Sequence, residues 1–401
     1  MMRKKEPGPL YARRDVLAPV PELLRLRDTT PLARVNLGTG SVPRPVWLAT
    51  GYDEVRQVMS SPAFSSQRRY SGRAVPGGAE ERPEQHVGNL LDYDPPEHTR
   101  LRRMLTPEFT VRRVRRLEPL VAEAIDECLE DLADAGPPGD LISTFASPVA
   151  IAVIGGLIGV PRDDLEELER RVHAQFDASQ SRDERAVTGT ALTEYLDALI
   201  AGQRAEPGDG LIGMLIREHG KRLSDTELRG LCVLLLLAEY DNLGAMIGLG
   251  LLALLLHPDQ LALLRADPDG LADRAVEELL RYLTVVHAPT PRTATEDTVI
   301  GGQLIAKGET VICSLPAANR DPRLTGDPAR LDLTRDPVPH VAFGHGVHHC
   351  LGAPLARLFL RRAYLGVLLR FPELRLAVPP SELLFRLHAP VHSLRRLPVA
   401  W

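Results

Sequence analysis

One cysteine, Cys350, lies where a thiol could do chemistry, between a glycine-rich loop and a predicted helix. The loop before it has too much glycine for a helix, so we expect a tight turn there. After it, apolar residues recur every four positions, which is the helical period. At a helix N-terminus, unpaired backbone N–H groups and the helix dipole stabilise a thiolate, which can bind a metal or act as a nucleophile. The residues of this pattern are Gly344, Gly346, Leu351, Leu355, Phe359, Ala363, Val367 and Phe371.

The interpretations of this loop differ in what the cysteine does. Its glycines, together with Gly352, would let a large flat group approach the backbone, and haem is the obvious group of that shape. A zinc site could use His345, His348 and His349, but no second Cys or His cluster stands at ligand spacing elsewhere in the sequence. A nucleophilic Cys–His pair would not explain the glycines. The plainest alternative is a buried structural cysteine.

The motif Phe343-Gly344-x-Gly346-x-His348-x-Cys350-Leu351-Gly352 resembles the haem-binding signature of the cytochrome P450 family, soluble bacterial type. The resemblance implies haem b, with Cys350 as the proximal thiolate on the iron. It also implies that Phe343 shields the sulfur, that His348 bonds a haem propionate, and that Gly344 and Gly352 belong to the cofactor site. His345 and His349 are expected to be solvated or structural.

The family's fold is mainly α with small β-sheets, arranged as a single triangular haem-binding domain, and we expect it over residues 1–401. Length alone would suggest more than one domain. However, the 34 prolines and 32 glycines are scattered and mark no linker. Within the domain the sequence indicates an N-terminal lead, a pocket-lid loop, a long distal helix, and the haem-thiolate loop with its proximal helix. These segments are 1–40, 71–90, 224–257 and 341–371.

Three further cationic residues match the family's propionate ligands. His98 and Arg102 are four positions apart and therefore share a helix face. By spacing alone, a solvated basic face is the more common explanation, because charged residues four apart are frequent on exposed helices. The resemblance instead assigns both to the haem propionates, and it assigns Arg292 the same role.

A long helix is predicted after Ser224, because Ser224 and Glu227 form a capping box and the apolar sequence continues to His257-Pro258. It resembles the family's distal helix, whose usual pattern is Ala-Gly-x-acid-Thr. Ala238 keeps the first position, beside the cofactor, and Asp241 keeps the acid. Glu239 and Asn242 replace the glycine and the threonine. We therefore expect Glu239, Asp241 and Asn242 to be the catalytic residues that organise protons, with altered chemistry.

The same apolar helix could also be interpreted as a membrane span. The polar residues at its centre argue against this, since carboxylates at bilayer depth are costly. The N-terminal sequence shows no signal peptide, and the four cysteines lack paired spacing, so we expect a cytoplasmic protein. A net charge of −5 argues against nucleic acid as the general partner.

Two other groups of residues gain a role from the resemblance. Glu278 and Arg281, three apart on one helix face, would ordinarily be a weak surface ion pair. In the family they form a buried structural network with a downstream arginine, here Arg335. Val286 and His287 then pass the pocket and are candidate substrate contacts.

These features lead to three functional hypotheses. The first is a haem-thiolate monooxygenase that hydroxylates or epoxidises a lipophilic small molecule in natural-product biosynthesis, including antibiotic biosynthesis. Its electrons would come indirectly from NAD(P)H through a ferredoxin reductase and a ferredoxin. The ferredoxin would dock on the arginines at positions 112, 113, 115 and 116. The second, motivated by Glu239 and Asn242, is oxidative coupling, rearrangement, dehydrogenation or peroxide-driven turnover. The third is a haem-binding protein without catalysis.

Overall fold

The computed structural model describes residues 8–36, 45–71, 86–177, 180–386 and 389–401. They fall into two compact units. The first takes its described residues from Met1–Glu81, Leu249–Leu351 and Phe385–Ser393, and the second from Arg82–Gly248, Gly352–Leu384 and Leu394–Trp401. Because each unit combines distant segments, no single position in the sequence separates them. The fold class is confirmed, since helices dominate and the sheets are small.

The first unit is built on a five-stranded sheet in the order β3-β4-β10-β7-β5. β4 pairs with β10 in parallel, and the other neighbours are antiparallel. Side chains alternate along a strand, so Trp47 and Ala49 enter one hydrophobic cluster while Val46 and Leu48 enter another. Both faces of β4 are therefore covered. The strands of this unit are β1 Arg14–Asp15, β2 Ala18–Pro19, β3 Leu32–Asn36, β4 Pro45–Ala49, β5 Phe64–Ser65, β7 Arg292–Ala294, β8 Thr298–Ile300, β9 Gln303–Ile305 and β10 Thr310–Cys313.

Short helices border this sheet. Tyr52–Ser60, which the spacing of its apolar residues predicts, carries Val55, Val58 and Met59 into the core. The helices of the first unit are α1 Pro21–Thr29, α2 Tyr52–Ser60, α3 Arg68–Ser71, α12 Pro258–Ala266, α13 Pro268–Leu283 and α14 Leu315–Ala318.

The second unit is a helical body in which α6 packs against α7 and α15. A three-stranded sheet in the order β11-β12-β6 lies at the chain terminus, where the rings of Phe371 and Trp401 are 4.6 Å apart. Its helices are α4 Glu97–Leu105, α5 Val111–Val114, α6 Glu118–Ala135, α7 Ser147–Ile158, α8 Leu165–Ala174, α9 Arg182–Ala205, α10 Leu211–His219 and α15 Ala353–Arg370. Its strands are β6 Gly139–Asp140, β11 Arg375–Leu376 and β12 Pro398–Ala400.

The long helix α11 runs over Asp225–Leu256, close to the bounds that the sequence predicts. The Ser224 hydroxyl accepts a hydrogen bond from the Glu227 N–H at 3.2 Å, and the Glu227 carboxylate accepts one from the Ser224 N–H at 2.9 Å. Among the described residues, α11 is the helix long and apolar enough to cross a membrane. Just over half of its most apolar stretch is buried in the protein, as in a core helix.

The end of the predicted pocket-lid loop rests on the first turns of α11. Gly88 has φ +87°, and a Cβ there would lie 2.3 Å from the carbonyl oxygen of Glu227. A Cβ on Gly230 would lie 1.9 Å from the carbonyl oxygen of Val87. The backbone of residues 87 and 88 therefore lies directly against the backbone of α11, and neither Gly88 nor Gly230 has room for a side chain. Most of the predicted loop, residues 72–85, lies outside the described residues.

Candidate haem-binding site

The loop before Cys350 is a closed turn. The Cys350 N–H donates to the carbonyl oxygen of Phe343 at 2.9 Å, and Gly344 and Gly346 have φ of +72° and +74°. A Cβ on Gly346 would lie 2.4 Å from the carbonyl oxygen of Met59 on α2. The glycine at 346 is thus required by the turn and by α2, a different reason from the open approach to a flat group that the sequence suggests.

The helix after the cysteine begins later than its apolar period indicates. α15 starts at Ala353 with Gly352 as its N-cap, so Cys350 lies two residues before the cap rather than at it. Pro354 explains the shift, because proline is favoured in the first turn of a helix, where its missing N–H costs nothing.

Cys350 differs from the other cysteines in its exposure. It is half-buried, whereas Cys128, Cys232 and Cys313 are buried. Burial raises the pKa of each of these three thiols to about 12. They are therefore protonated at neutral pH, and Cys350 is the accessible thiol of this chain.

The histidines of the loop have distinct neighbours within the first unit. The Nε2 atom of His348 lies 3.2 Å from the hydroxyl oxygen of Ser66, a partner that the sequence analysis missed. His349 packs at the edge of the Phe343 ring, with centroids 6.3 Å apart. Burial and the charge of Arg56 lower the pKa of His345. The Ser66 hydroxyl thus helps to orient the ring of His348.

The other predicted propionate ligands are basic side chains that are buried or half-buried. In the second unit, His98 is 2% exposed on α4, and Arg102 is half-buried one turn later. In the first unit, Arg292 is 4% exposed on β7 and donates from Nη1 to the carbonyl oxygen of Thr290 at 2.7 Å. Imidazole and guanidinium groups are the donor types that pair with carboxylates. Together with a thiol, these residue types match what haem binding uses.

The polar residues at the middle of α11 have different surroundings. Asp241 is 5% exposed, and Ala238, Glu239 and Asn242 are half-buried. Burial raises the pKa of Glu239 to about 7. A Cβ on Gly352 would lie 2.2 Å from its Oε1 atom, so the carboxyl group lies against the backbone at the N-cap of α15.

The sequence did not indicate which residues contact this polar group of α11. Tyr240 hydrogen-bonds to the carboxyl group of Glu169 on α8, and its ring stacks on Phe176 with centroids 6.0 Å apart. Asn242 has an Oδ1 atom shielded from solvent that accepts no hydrogen bond from the described part of the chain. Tyr240 is thus fixed by its partners, while the Asn242 carbonyl oxygen keeps its acceptor capacity.

The residues predicted to form an ion network do so in the first unit. Arg281 donates from Nε and Nη2 to the two carboxylate oxygens of Glu278, each at 2.7 Å. Arg335 reaches Glu278 Oε1 from its Nε at 3.3 Å. Arg281 and Glu278 are only 1% and 4% exposed, and backbone carbonyls accept the remaining Arg281 donors.

The two predicted substrate contacts differ in position. Val286 is half-buried and forms a bridge with Val391. His287 is 5% exposed, and its Nδ1 atom accepts a hydrogen bond from Arg14 at 3.4 Å. His287 therefore belongs to a cluster that no local pattern predicts, since Arg14 lies 273 positions away in the chain.

Comparison with known proteins agrees with this donor set. The cytochrome P450 family model matches residues 190–381. Cytochrome P450 165B3 of Amycolatopsis orientalis is 50% identical over the full length of both chains. Among solved structures, P450 StaH from biosynthesis of the glycopeptide antibiotic A47934 has 51% identity and a TM-score of 0.90, over 98% of this chain and all of its own. OxyC, implicated in an oxidative C–C coupling reaction during vancomycin biosynthesis, has 44% identity and a TM-score of 0.89, over 99% of each chain. The chain belongs to the cytochrome P450 family and is a monooxygenase of that family.

Proposed function

We propose that this P450 performs an oxidative coupling in antibiotic biosynthesis, joining two phenolic side chains of a peptide precursor instead of inserting oxygen. Its similarity to StaH and OxyC, whose names connect them with glycopeptide antibiotics and with C–C coupling, supports the pathway and the reaction class. Phenols are suitable substrates because loss of an electron and a proton from a phenol is easier than from an alkane.

The observation that carries this proposal is the polar group on α11. Where the family pattern has threonine, Asn242 has an amide, which can accept and donate hydrogen bonds but does not pass protons on as a hydroxyl does. Where the pattern has glycine, Glu239 has a carboxyl group whose pKa, raised by burial to about 7, lets it hold or release a proton at neutral pH. We assign Glu239 Oε1 and Oε2 as the proton-exchanging atoms, with Asp241 beside them on the helix.

Other residues of the chain would hold the cofactor. We assign Cys350 to the iron, with Phe343, Gly344, Gly352 and Ala238 around the macrocycle. When bound, haem supplies an iron at which dioxygen is activated, made electron-rich by the thiolate ligand. We assign the propionates to His98, Arg102, Arg292 and His348.

The proposed reaction balances without oxygen in the product. The two rings lose two hydrogen atoms and form one bond between them. Dioxygen takes these two electrons and protons together with two external electrons and two solvent protons, and leaves as two waters. The peptide is therefore oxidised by two electrons, and an electron donor is still needed.

We propose that these electrons come from NAD(P)H through a ferredoxin reductase and a ferredoxin, in the cytoplasm. Arg112, Arg115 and Arg116 are exposed in the second unit, whereas Arg113 is bound to Glu108 at 2.9 Å. Three of the four predicted arginines are thus available to an acidic partner. Arg112→Glu with Arg116→Glu should lower ferredoxin affinity at low salt, and the exposed Arg25→Glu is the control. Equal affinities in all three proteins would reject this docking surface.

Turnover under isotopically labelled dioxygen tests the reaction class. The substrate would be a linear peptide with several phenolic side chains, and the product would be analysed by mass spectrometry. A product lighter than the peptide by two hydrogens and without label supports coupling. A product that carries the label would overturn the proposal in favour of hydroxylation. A protein that binds haem but consumes no dioxygen with ferredoxin would favour the non-catalytic alternative.

A further inference from the structure

A cluster of three basic side chains lies inside the first unit, apart from the cysteine loop. Arg14 of β1 donates from Nε to Nδ1 of His287 at 3.4 Å and from Nη2 to the carbonyl oxygen of Thr284 at 2.7 Å. The rings of His287 and His392 have centroids 5.8 Å apart, and both residues are 5% exposed. Residues distant in the sequence therefore meet at the guanidinium group of the half-buried Arg14.

The charge of Arg14 is not compensated by the described residues. None of their carboxylates forms an ion pair with it, and its Nη1 atom is shielded from solvent with no hydrogen-bond acceptor among them. Burial and the nearby charge of Arg320 lower the pKa of Arg14 to about 9, so it is still a cation at neutral pH. A half-buried cation whose Nη1 donor is shielded from solvent is stabilised by an anion that accepts a hydrogen bond from it.

The two histidines do not supply that anion, and they do not compete with it. The Nε2 of His392 must carry hydrogen, because it lies 2.6 Å from the carbonyl oxygen of Val16, which only accepts. His287 accepts at Nδ1, so its hydrogen is on Nε2. Burial, followed by the charge of Arg14, lowers the pKa of His287 to about 2 and of His392 to about 3. Both imidazoles are therefore neutral, and Arg14 is the charged member of the cluster.

Apolar side chains lie beside the cluster. Phe385 stacks on His392, with centroids 5.0 Å apart and ring planes 5° from parallel. Val286 and Val391 form a bridge next to the two histidines in the chain. A ligand held by Arg14 would thus meet an aromatic ring and two branched aliphatic side chains, which suits an organic acid better than a small inorganic anion.

We propose that Arg14, assisted by His287, is a binding subsite for the carboxylate of an organic acid with an apolar or aromatic body. Together with the proposed function, on which this step rests, it identifies the substrate as a peptide that presents a carboxylate group to Arg14. Arg14 acts here in binding, and Phe385, Val286 and Val391 contact the apolar part.

Two probes that differ only in charge test the subsite. N-acetyl-L-tyrosine has a carboxylate, and N-acetyl-L-tyrosinamide has the same ring with a neutral amide. We would measure the affinity of both for the haem-loaded protein by isothermal titration calorimetry. The wild type should bind the acid roughly tenfold to a hundredfold more tightly, as expected for one charge-assisted hydrogen-bonded pair. Arg14→Met should abolish this preference, and Arg14→Lys should retain part of it.

Arg13→Met is the matched control, because Arg13 is the neighbouring arginine and donates instead to the carbonyl oxygen of Gly8 at 2.7 Å. It should keep the wild-type preference, and thermal melting would establish that each variant is folded. Equal affinity of the wild type for acid and amide would overturn the inference, as would equal loss in Arg13→Met and Arg14→Met. Because binding is measured without turnover, failure of the coupling reaction leaves this result interpretable by itself.

Discussion

Two groups of polar side chains away from solvent behave differently in this molecule. In the first unit, Glu278 and Arg281 are almost fully buried, and every hydrogen-bonding atom of their head groups has a partner. In the second unit, Glu239 has a carboxyl group whose pKa is raised by burial alone, and the Asn242 carbonyl oxygen has no donor among the described residues. Both groups sit on helices, and hydropathy alone does not distinguish them.

The difference indicates which buried polar residues support the fold and which are kept for chemistry. A saturated network makes each partner depend on the others, so removing one leaves an uncompensated charge. A group without such partners adds little to stability, but it can still accept a proton, a hydrogen bond or a ligand.

The largest effect should come from the accessible thiol. Cys350→His should eliminate the far-red-shifted Soret band of the reduced, carbon monoxide-bound protein, because that band reports thiolate ligation. Absorption spectra of the wild type, Cys350→His and Cys128→Ser would measure it. Cys128→Ser should keep the band, since the Cys128 thiol is protonated, with a pKa raised to about 12 by burial. A wild type that binds haem without this band would contradict the assignment of Cys350.

Breaking the saturated network should cost the most stability. Glu278→Ala leaves Arg281 buried without its carboxylate, and we expect the free energy of unfolding to fall by about 3–5 kcal/mol. Asn242→Ala is the comparison, expected to cost less than about 1 kcal/mol because the lost carbonyl oxygen has no partner to leave behind. Urea denaturation would measure both. Equal losses would remove the distinction between the two groups.

The glycine loop offers a matched pair of substitutions. Gly346→Ala combines φ +74° with a Cβ only 2.4 Å from a carbonyl oxygen, so we expect a loss of about 2–4 kcal/mol. Gly302→Ala has a similar φ of +78° but nothing within 4 Å of its Cβ, and it should cost only about 1 kcal/mol. Thermal and urea unfolding would compare them. If the two variants lose the same stability, crowding against α2 does not determine residue 346.

Glu239 should make stability depend on pH in a defined direction. Its pKa rises from 4.5 in the unfolded chain to about 7 in the fold, so the folded protein binds the proton more tightly. Stability from this group is therefore complete below pH 4.5 and declines as the pH rises to about 7. Glu239→Gln removes this decline. Near pH 8 the variant should be about 1–2 kcal/mol more stable than wild type, a value reduced because the half-buried side chain is partly screened by solvent. Near pH 4.5 the two proteins should be equally stable.

Urea unfolding of the haem-loaded protein at both pH values would test this, with Glu296→Gln as an exposed control. A Glu239→Gln variant whose advantage is the same at both pH values would show that the carboxyl group does not titrate in this range. The result would also weaken its assignment as the proton-exchanging residue.

Much of the fold could be predicted because it depends on local signals. The capping box at Ser224 and Glu227 locates the start of α11 to within a residue. The Cys350 motif indicates the thiol and its loop. The apolar period misplaces the start of α15, because it carries no information on where a proline favours the first turn of a helix.

The sequence by itself determined the elements, the thiol and the departure of Glu239 and Asn242 from the family pattern, because each is set by residue type and spacing along the chain. Only the tertiary structure decided which polar groups are satisfied. It joins Arg281 to carbonyls 38 and 47 positions away, and it brings Arg14 to His287. Burial and hydrogen bonding depend on contacts between segments distant in the chain, and neighbouring residues in the sequence do not specify them.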